Sequence, residues 1–288
     1  MPNPLDVVIA IARKPGYREH LKTRLRRQFG LEPTDSRSAR LVLADQQTHA
    51  NAQPDATAAP EPTGRIRDLL FVKSPYDDFD PRYHPHDMQG WGSDDPVLAD
   101  AIALLRPARI CEVGSWKGRS AIRMAQTVKS LGLHTEILCI DTWLGSPEQW
   151  LKQEPEWYES LRITNGMPRL YFTFLANVVR TGAHDLITPF PMTSESAAYV
   201  LRQLGIRFDL VYIDAAHEYE PAKRDIVAYY DLLADEGILI GDDYITWPGV
   251  TRAADEFARE RKLRCIGVRG KFVIPKGSKF ANLTFDSH

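Results

Sequence analysis

Cysteine is scarce in this chain. Three thiols, Cys111, Cys139 and Cys265, occur among 288 residues, and no two are spaced as CxxC. An odd, scattered set argues against a disulfide framework and for a reducing cytoplasm, and each thiol falls in an apolar run where a small buried hydrophobe is the plainer reading. Long apolar runs are missing too: no stretch approaches the ~18 consecutive apolar residues needed to cross a bilayer. The segment from Met1 to Asp6 lacks the basic-then-apolar pattern of a secretory signal. A charge excess is absent, since 36 Lys and Arg stand against 38 Asp and Glu. No global field therefore favours nucleic acid or an anionic membrane. The chain also lacks GxGxxG. Its glycines Gly114 and Gly118 are four apart, which argues against a nicotinamide dehydrogenase.

What is present is a set of strands that end in acids. Residues 108–113 form an apolar run that closes on Glu112-Val113-Gly114-Ser115-Trp116-Lys117-Gly118-Arg119-Ser120. Such a strand, tight turn and helix bring backbone N–H groups against a small ligand at the carboxyl edge of a parallel sheet. A second strand, 135–141, ends in Asp141, followed by Thr142 and Trp143. A strand over 208–214 ends in Asp214, three residues before His217. Another over 237–241 runs into Asp242 and Asp243.

Helices are read over 96–105, 118–128, 168–181, 195–204, 218–234 and 249–261, a further strand over 186–190, and a closing strand pair over 264–268 and 271–274. This alternation predicts an α/β fold: a doubly wound, mostly parallel seven-stranded sheet with right-handed crossovers and an antiparallel hairpin at one edge. Ahead of it, 1–43 reads as an N-terminal helical extension, with helices over 5–29. Residues 44–64, rich in Ala, Pro, Thr, Gln and Asn, read as a flexible linker. Residues 65–95, irregular but rich in aromatics and acids, read as a lid or substrate-lining segment, leaving 96–288 as the catalytic domain. Within the lid, His84-Pro85-His86-Asp87 is a weak metal signal and a loop is favoured.

The acids carry the chemistry. Asp141 can accept two hydrogen bonds from a vicinal diol; a helix-capping or loop acid is the plain alternative. Trp143 either stacks on a planar ring or belongs to the core. Asp214, Asp242 and Asp243 would set carboxylates on adjacent strand ends, where hard oxygen ligands suit Mg²⁺, or less often Mn²⁺ or Ca²⁺, over zinc. A cation would relieve their mutual repulsion and lower the pKa of a substrate hydroxyl. The alternative is that Asp242 and Asp243 cap backbone N–H groups. Imidazole changes charge near neutral pH, so His217 is a candidate general base or metal ligand.

Over residues 90–275 these features resemble the class I S-adenosylmethionine-dependent methyltransferases, and within them the metal-dependent small-molecule O-methyltransferases. The macrocin and mycinamicin sugar methyltransferases and the cephalosporin-hydroxylase-like group are examples. The resemblance implies S-adenosylmethionine as cofactor, with Glu112, Gly114, Ser115, Trp116, Gly118 and Ser120 in its first glycine motif and Asp141, Thr142 and Trp143 after the second strand. Ser194 falls where the adenine is met. Asp214 doubles as cofactor contact, metal ligand and, with His217, catalytic residue; Asp242 and Asp243 match the acidic pair. Catechol-type relatives carry Lys where this chain has His217. A small-molecule acceptor follows, a sugar, glycoside or phenolic natural product, with no nucleic acid or membrane partner. A homo-oligomer is an expectation from relatives that no residue here locates. Two alternatives stay open: a cofactor-binding module without catalysis, and a polysaccharide or protein acceptor docked by the basic N-terminal helices.

Overall fold

The computed structural model describes residues 40–43, 64–90, 92–152 and 155–286. The helices expected over 5–29 and the linker up to residue 63 lie outside these residues. The described end of the expected helical extension is not helical. Arg40–Leu43 (β1) is a strand, paired antiparallel with Leu283–Asp286 (β9) in a separate two-stranded sheet. Pairing with a strand far along the chain gives no local signal, which is why the sequence alone did not indicate it.

The main sheet contains β2 (Arg109–Val113), β3 (Glu136–Asp141), β4 (Ile187–Pro191), β5 (Phe208–Ile213), β6 (Leu233–Gly241), β7 (Ile266–Val268) and β8 (Lys271–Pro275). Their order across the sheet is β4-β3-β2-β5-β6-β8-β7. All neighbours are parallel except β8, which runs antiparallel to both β6 and β7. This is the seven-stranded, mostly parallel sheet expected from the alternation of elements.

Six helices cover the sheet on both faces. On one face α2 (Pro96–Leu105), α3 (Arg119–Ser130) and α6 (Leu170–Arg180) pack on Ile110, Ile137, Leu210 and Ile238. On the other, α7 (Ser194–Gln203), α8 (Tyr219–Asp231) and α9 (Pro248–Arg261) pack on Cys111, Leu138, Val211 and Leu239. Successive strand residues thus feed opposite cores, as the two-residue repeat of a strand requires. Local signals set the helix starts. Asp95 accepts the Val97 N–H (2.9 Å) ahead of Pro96 at the first turn of α2, and Thr193 accepts the Ser196 N–H (3.2 Å) at α7. The expected helix over 218–234 is shorter, ending at Asp231, because β6 begins at Leu233 and its first residue pairs with Phe208.

Three short helices were not legible: α1 (Ile66–Leu70), α4 (Pro147–Trp150) and α5 (Pro155–Ser160). They lie between the long elements, where packing rather than periodicity decides. His84 is stacked between Phe79 (4.9 Å between ring centroids) and Phe172 (5.3 Å), so it is part of a packed loop, as the favoured reading had it. Among the described residues, no helix is long and apolar enough to cross a membrane.

Candidate active site at the switch point of the sheet

The chain leaves β2 toward β3 on one side and returns to β5 on the other, so the crevice between the ends of β2 and β5 is the topological switch point where open α/β sheets bind ligands. Gly114 and Asp214 meet there. The Asp214 N–H donates to the Val113 carbonyl (2.8 Å), and the Asp242 N–H to the Ile213 carbonyl (2.9 Å). These bonds carry the sheet pairing one residue past the strands and set the two acids side by side. Gly114 has φ +87°, and a Cβ there would lie 2.0 Å from the Asp214 carbonyl oxygen. Only glycine fits both the left-handed backbone and this approach.

The turn after Gly114 is organised by Asp141. Its Oδ2 accepts the N–H groups of Ser115 (3.0 Å) and Trp116 (2.8 Å), and its Oδ1 accepts that of Trp143 (2.7 Å). Burial raises the Asp141 carboxyl above its ordinary range, opposed by these backbone donors. Glu112 lies beneath the turn, fully buried, accepting hydrogen bonds from the Ser120 hydroxyl and the Cys139 thiol. Burial pushes its carboxyl up to about 7.

A second cluster stands at the exits of β5 and β6. Asp214, His217 and Asp243 each present one ligand atom, and these atoms lie within 4.8 Å of one another. The His217 Nε2 is 2.9 Å from Asp243 Oδ2. The imidazole lies flat on Trp247, with centroids 4.6 Å apart and planes 6° from parallel, so its orientation is held. Asp243 adopts φ +60°, an uncommon conformation for a residue with a side chain. The cavity beside the cluster is lined by Asp214, Ala215, Ala216, His217, Asp242 and Asp243, among others.

Residues 111–244 match a family model, Methyltransf_24, described as a methyltransferase domain. The chain carries a methyltransferase domain. No curated protein matches the chain. Among solved structures, an O-methyltransferase from Bacillus cereus in complex with SAH is 15% identical with a TM-score of 0.45, covering 73% of this chain and 95% of that one. The calicheamicin methyltransferase CalS11 is 16% identical with a TM-score of 0.47, covering 76% of this chain and 100% of the other. TomG of Streptomyces achromogenes, an O-methyltransferase involved in tomaymycin synthesis and solved with SAM, is 15% identical with a TM-score of 0.45, covering 74% and 94%.

The residues singled out from sequence divide. Gly114, Ser115, Trp116 and Asp141 come together around one turn, with Thr142 exposed next to it. Glu112 and Ser120 face each other beneath that turn, so they support it from below and are not open to a ligand. Gly118 caps α3 with φ +85°, and a Cβ there would press on the Phe174 ring.

Trp143 is core and does not face a ligand. It is 1% exposed, donates its indole N–H to the Trp116 carbonyl (2.7 Å) and packs on Tyr171 and Phe174. Ser194 sits at the start of α7, with its carbonyl accepting the Tyr229 hydroxyl (2.9 Å).

Asp242 is absent from the proposed metal set. Its Oδ2 is held by Lys271 Nζ (2.8 Å) and by the Tyr212 hydroxyl (2.9 Å), and its Oδ1 accepts the Asp243 N–H (2.8 Å). His217 stands in its place.

Sequence reasoning missed a clasp over the glycine turn. Buried Lys117 donates to Asp87 (2.6 Å) and Gln89 (3.3 Å), and Trp116 Nε1 donates to Gln89 (2.9 Å). The hydrogen bonds of Lys117 and Gln89 outweigh burial and keep the Asp87 carboxyl below its ordinary range. Asn177 joins both sides: its amide donates to the carbonyls of Asp87 (2.7 Å) and Lys117 (2.8 Å), and its Oδ1 accepts the Asp87 N–H (3.2 Å). A lysine inside the glycine motif was the one visible hint. Nothing in the sequence paired Lys271 with Asp242.

Proposed function

We propose that the chain transfers the methyl group of S-adenosylmethionine to a hydroxyl of a small molecule, a sugar, glycoside or phenol, with a divalent cation assisting. The observation that carries this reading is the meeting of Asp214, His217 and Asp243 beside the Gly114 turn at the switch point. A sulfonium cofactor arrives already activated, so the protein must align the acceptor oxygen and see its proton removed.

The residues present suit both groups. The turn at Gly114 has no room for a Cβ and leaves bare backbone, so the stretch Gly114–Trp116, ordered by Asp141, would hold the methionine and ribose portions. Two carboxylates and an imidazole form a donor set for a divalent ion, which when bound would acidify the acceptor hydroxyl. The proton can leave in two ways: onto His217 directly, or to solvent once the hydroxyl is acidified. Residues 65–95 serve as the lid, since Asp87 and Gln89 hold Lys117 and Trp116 from above. The free thiols of Cys111, Cys139 and Cys265 favour a cytoplasmic setting.

The test is titration of S-adenosylhomocysteine into the purified chain and its Asp141→Ala variant, followed by transfer of labelled methyl across a panel of sugars and phenols. Micromolar binding lost in the variant, with label on at least one hydroxyl acceptor, supports the reading. No binding to the wild type overturns it. Binding without transfer to any acceptor would instead mark a cofactor-binding module.

A further inference from the structure

We infer that the cation site is built for a first-row transition ion such as Mn²⁺ or Co²⁺ in preference to Mg²⁺, with His217 as a ligand. The inference rests on the proposed methyl transfer only for its location, since the donor set stands on its own geometry. A site of three acidic side chains on the ends of β5 and β6 would offer only hard oxygen, the chemistry that suits Mg²⁺. This chain does not present that set. Asp242 is withdrawn into a buried group in which Lys271, 1% exposed, lies 2.8 Å from its Oδ2 and 3.3 Å from the Tyr212 hydroxyl. An ammonium in that position neutralises Asp242 and repels a second cation from it.

The remaining donors are two carboxylates and one imidazole. The separation of His217 Nε2 from Asp243 Oδ2, 2.9 Å, serves a hydrogen bond in the absence of an ion. It also equals the spacing of neighbouring ligands in an octahedron with bonds of about 2.1 Å, roughly 3 Å. The flat contact with Trp247 fixes the imidazole plane, so little rotamer freedom is lost when it ligates. Imidazole nitrogen binds Mn²⁺, Co²⁺ and Zn²⁺ far better than Mg²⁺, which keeps its water shell. With an ion on it, the His217 imidazole could not also take the acceptor hydroxyl's proton, which would pass to solvent from a hydroxyl that the ion would make more acidic.

The experiment uses the full chain freed of metal. Mn²⁺, Co²⁺ and Mg²⁺ are titrated separately by calorimetry, and the visible spectrum of the Co²⁺ form is recorded. S-adenosylhomocysteine is titrated in parallel without metal. Co²⁺ and Mn²⁺ are expected to bind at least about tenfold more tightly than Mg²⁺. His217→Ala should weaken Co²⁺ binding about tenfold or more and shift the Co²⁺ bands, whereas Asp242→Asn should weaken it less than His217→Ala does. Mn²⁺ broadening of the His217 ring resonances in the wild type checks ligation without any variant. Mg²⁺ binding as tight as Co²⁺, no ion binding, a silent His217→Ala, unbroadened His217 resonances, or a larger loss in Asp242→Asn overturns the inference. S-adenosylhomocysteine binding with no such ion preference sinks this inference alone. Ion binding without S-adenosylhomocysteine binding sinks the methyl-transfer reading alone.

Discussion

Lys271 Nζ lies 2.8 Å from Asp242 Oδ2, and the lysine, the first residue of β8 between β6 and β7, is 1% exposed. The pair joins β8 to the end of β6 at the residue before Asp243. The Asp243 N–H in turn donates to Asp242 Oδ1 (2.8 Å), so a carboxylate outside the cluster orients the residue that belongs to it. Lys271→Met leaves Asp242 with the Tyr212 hydroxyl as its remaining side-chain partner. Removing one member of a buried pair costs about 3 kcal/mol. Urea denaturation should show a loss of that order. Lys271→Met combined with Asp242→Asn should lose less than the sum of the two single variants, because the residues share one interaction. Additive losses would mean that the pair is not coupled.

Gly114→Ala tests the crevice itself. The substitution asks a side chain to adopt φ +87° and to sit 2.0 Å from the Asp214 carbonyl oxygen. Left-handed backbone alone costs an L-residue roughly 1–2 kcal/mol, and overpacking adds about 1–3. The variant should therefore lose at least about 2 kcal/mol in denaturation and bind S-adenosylhomocysteine more weakly. A neutral substitution would show that β2 and β5 are not held this closely.

Much of this was legible in the sequence, and the exceptions have a common cause. Each strand of the main sheet was located to within a few residues because buried parallel strands read as apolar runs closed by Asp or Gly. The strands ending at Asp141, at Ile213 just before Asp214 and at Gly241 just before Asp242 are examples. Helix starts at Pro96 and Ser194 were read to within one residue. What stayed hidden depends on where side chains turn in three dimensions. Asp242 and Asp243 are adjacent in sequence, yet one pairs with Lys271 and the other with His217. Trp143 follows a strand-end acid, where a ligand contact is plausible, but its backbone turns to φ +51° and sends the indole into the core. The pairing of Lys117 with Asp87 links segments whose spacing carries no period.

Glu112 makes stability depend on pH in a direction opposite to that of an exposed acid. Burial pushes its carboxyl up to about 7, against hydrogen bonds from Ser120 and Cys139. The folded chain thus holds this proton more tightly than the unfolded chain does. The contribution is complete below the ordinary carboxyl range and is lost as pH rises through about 7, by about 3 kcal/mol at most. Glu112→Gln stays neutral and can still accept from Ser120. Urea titrations at pH 5 and pH 8 should show the variant gaining on the wild type by about 2–3 kcal/mol across that interval. Parallel stability curves would mean that Glu112 is already ionised at pH 5.

Asn177 decides whether the segment above the glycine turn can lift. It lies on α6, fully buried, and its amide bonds the carbonyls of Asp87 and Lys117 while its oxygen accepts the Asp87 N–H. One side chain thereby ties the backbone at Asp87 to the glycine turn through three hydrogen bonds. Asn177→Ala removes all three partners at once. Each buried backbone group left unpaired costs about 1–3 kcal/mol, less where water enters. If 65–95 acts as the lid proposed above, the cost falls on local opening, where the freed groups recover solvent. Hydrogen exchange should therefore speed up at Asp87 and across 87–95 at least about tenfold, while amides of β2 and β5 stay protected. Uniform acceleration through the sheet would assign Asn177 to global stability. No acceleration at Asp87 would mean that the two flanking ion-pair and indole contacts, Lys117 to Asp87 and Trp116 to Gln89, hold the segment without it.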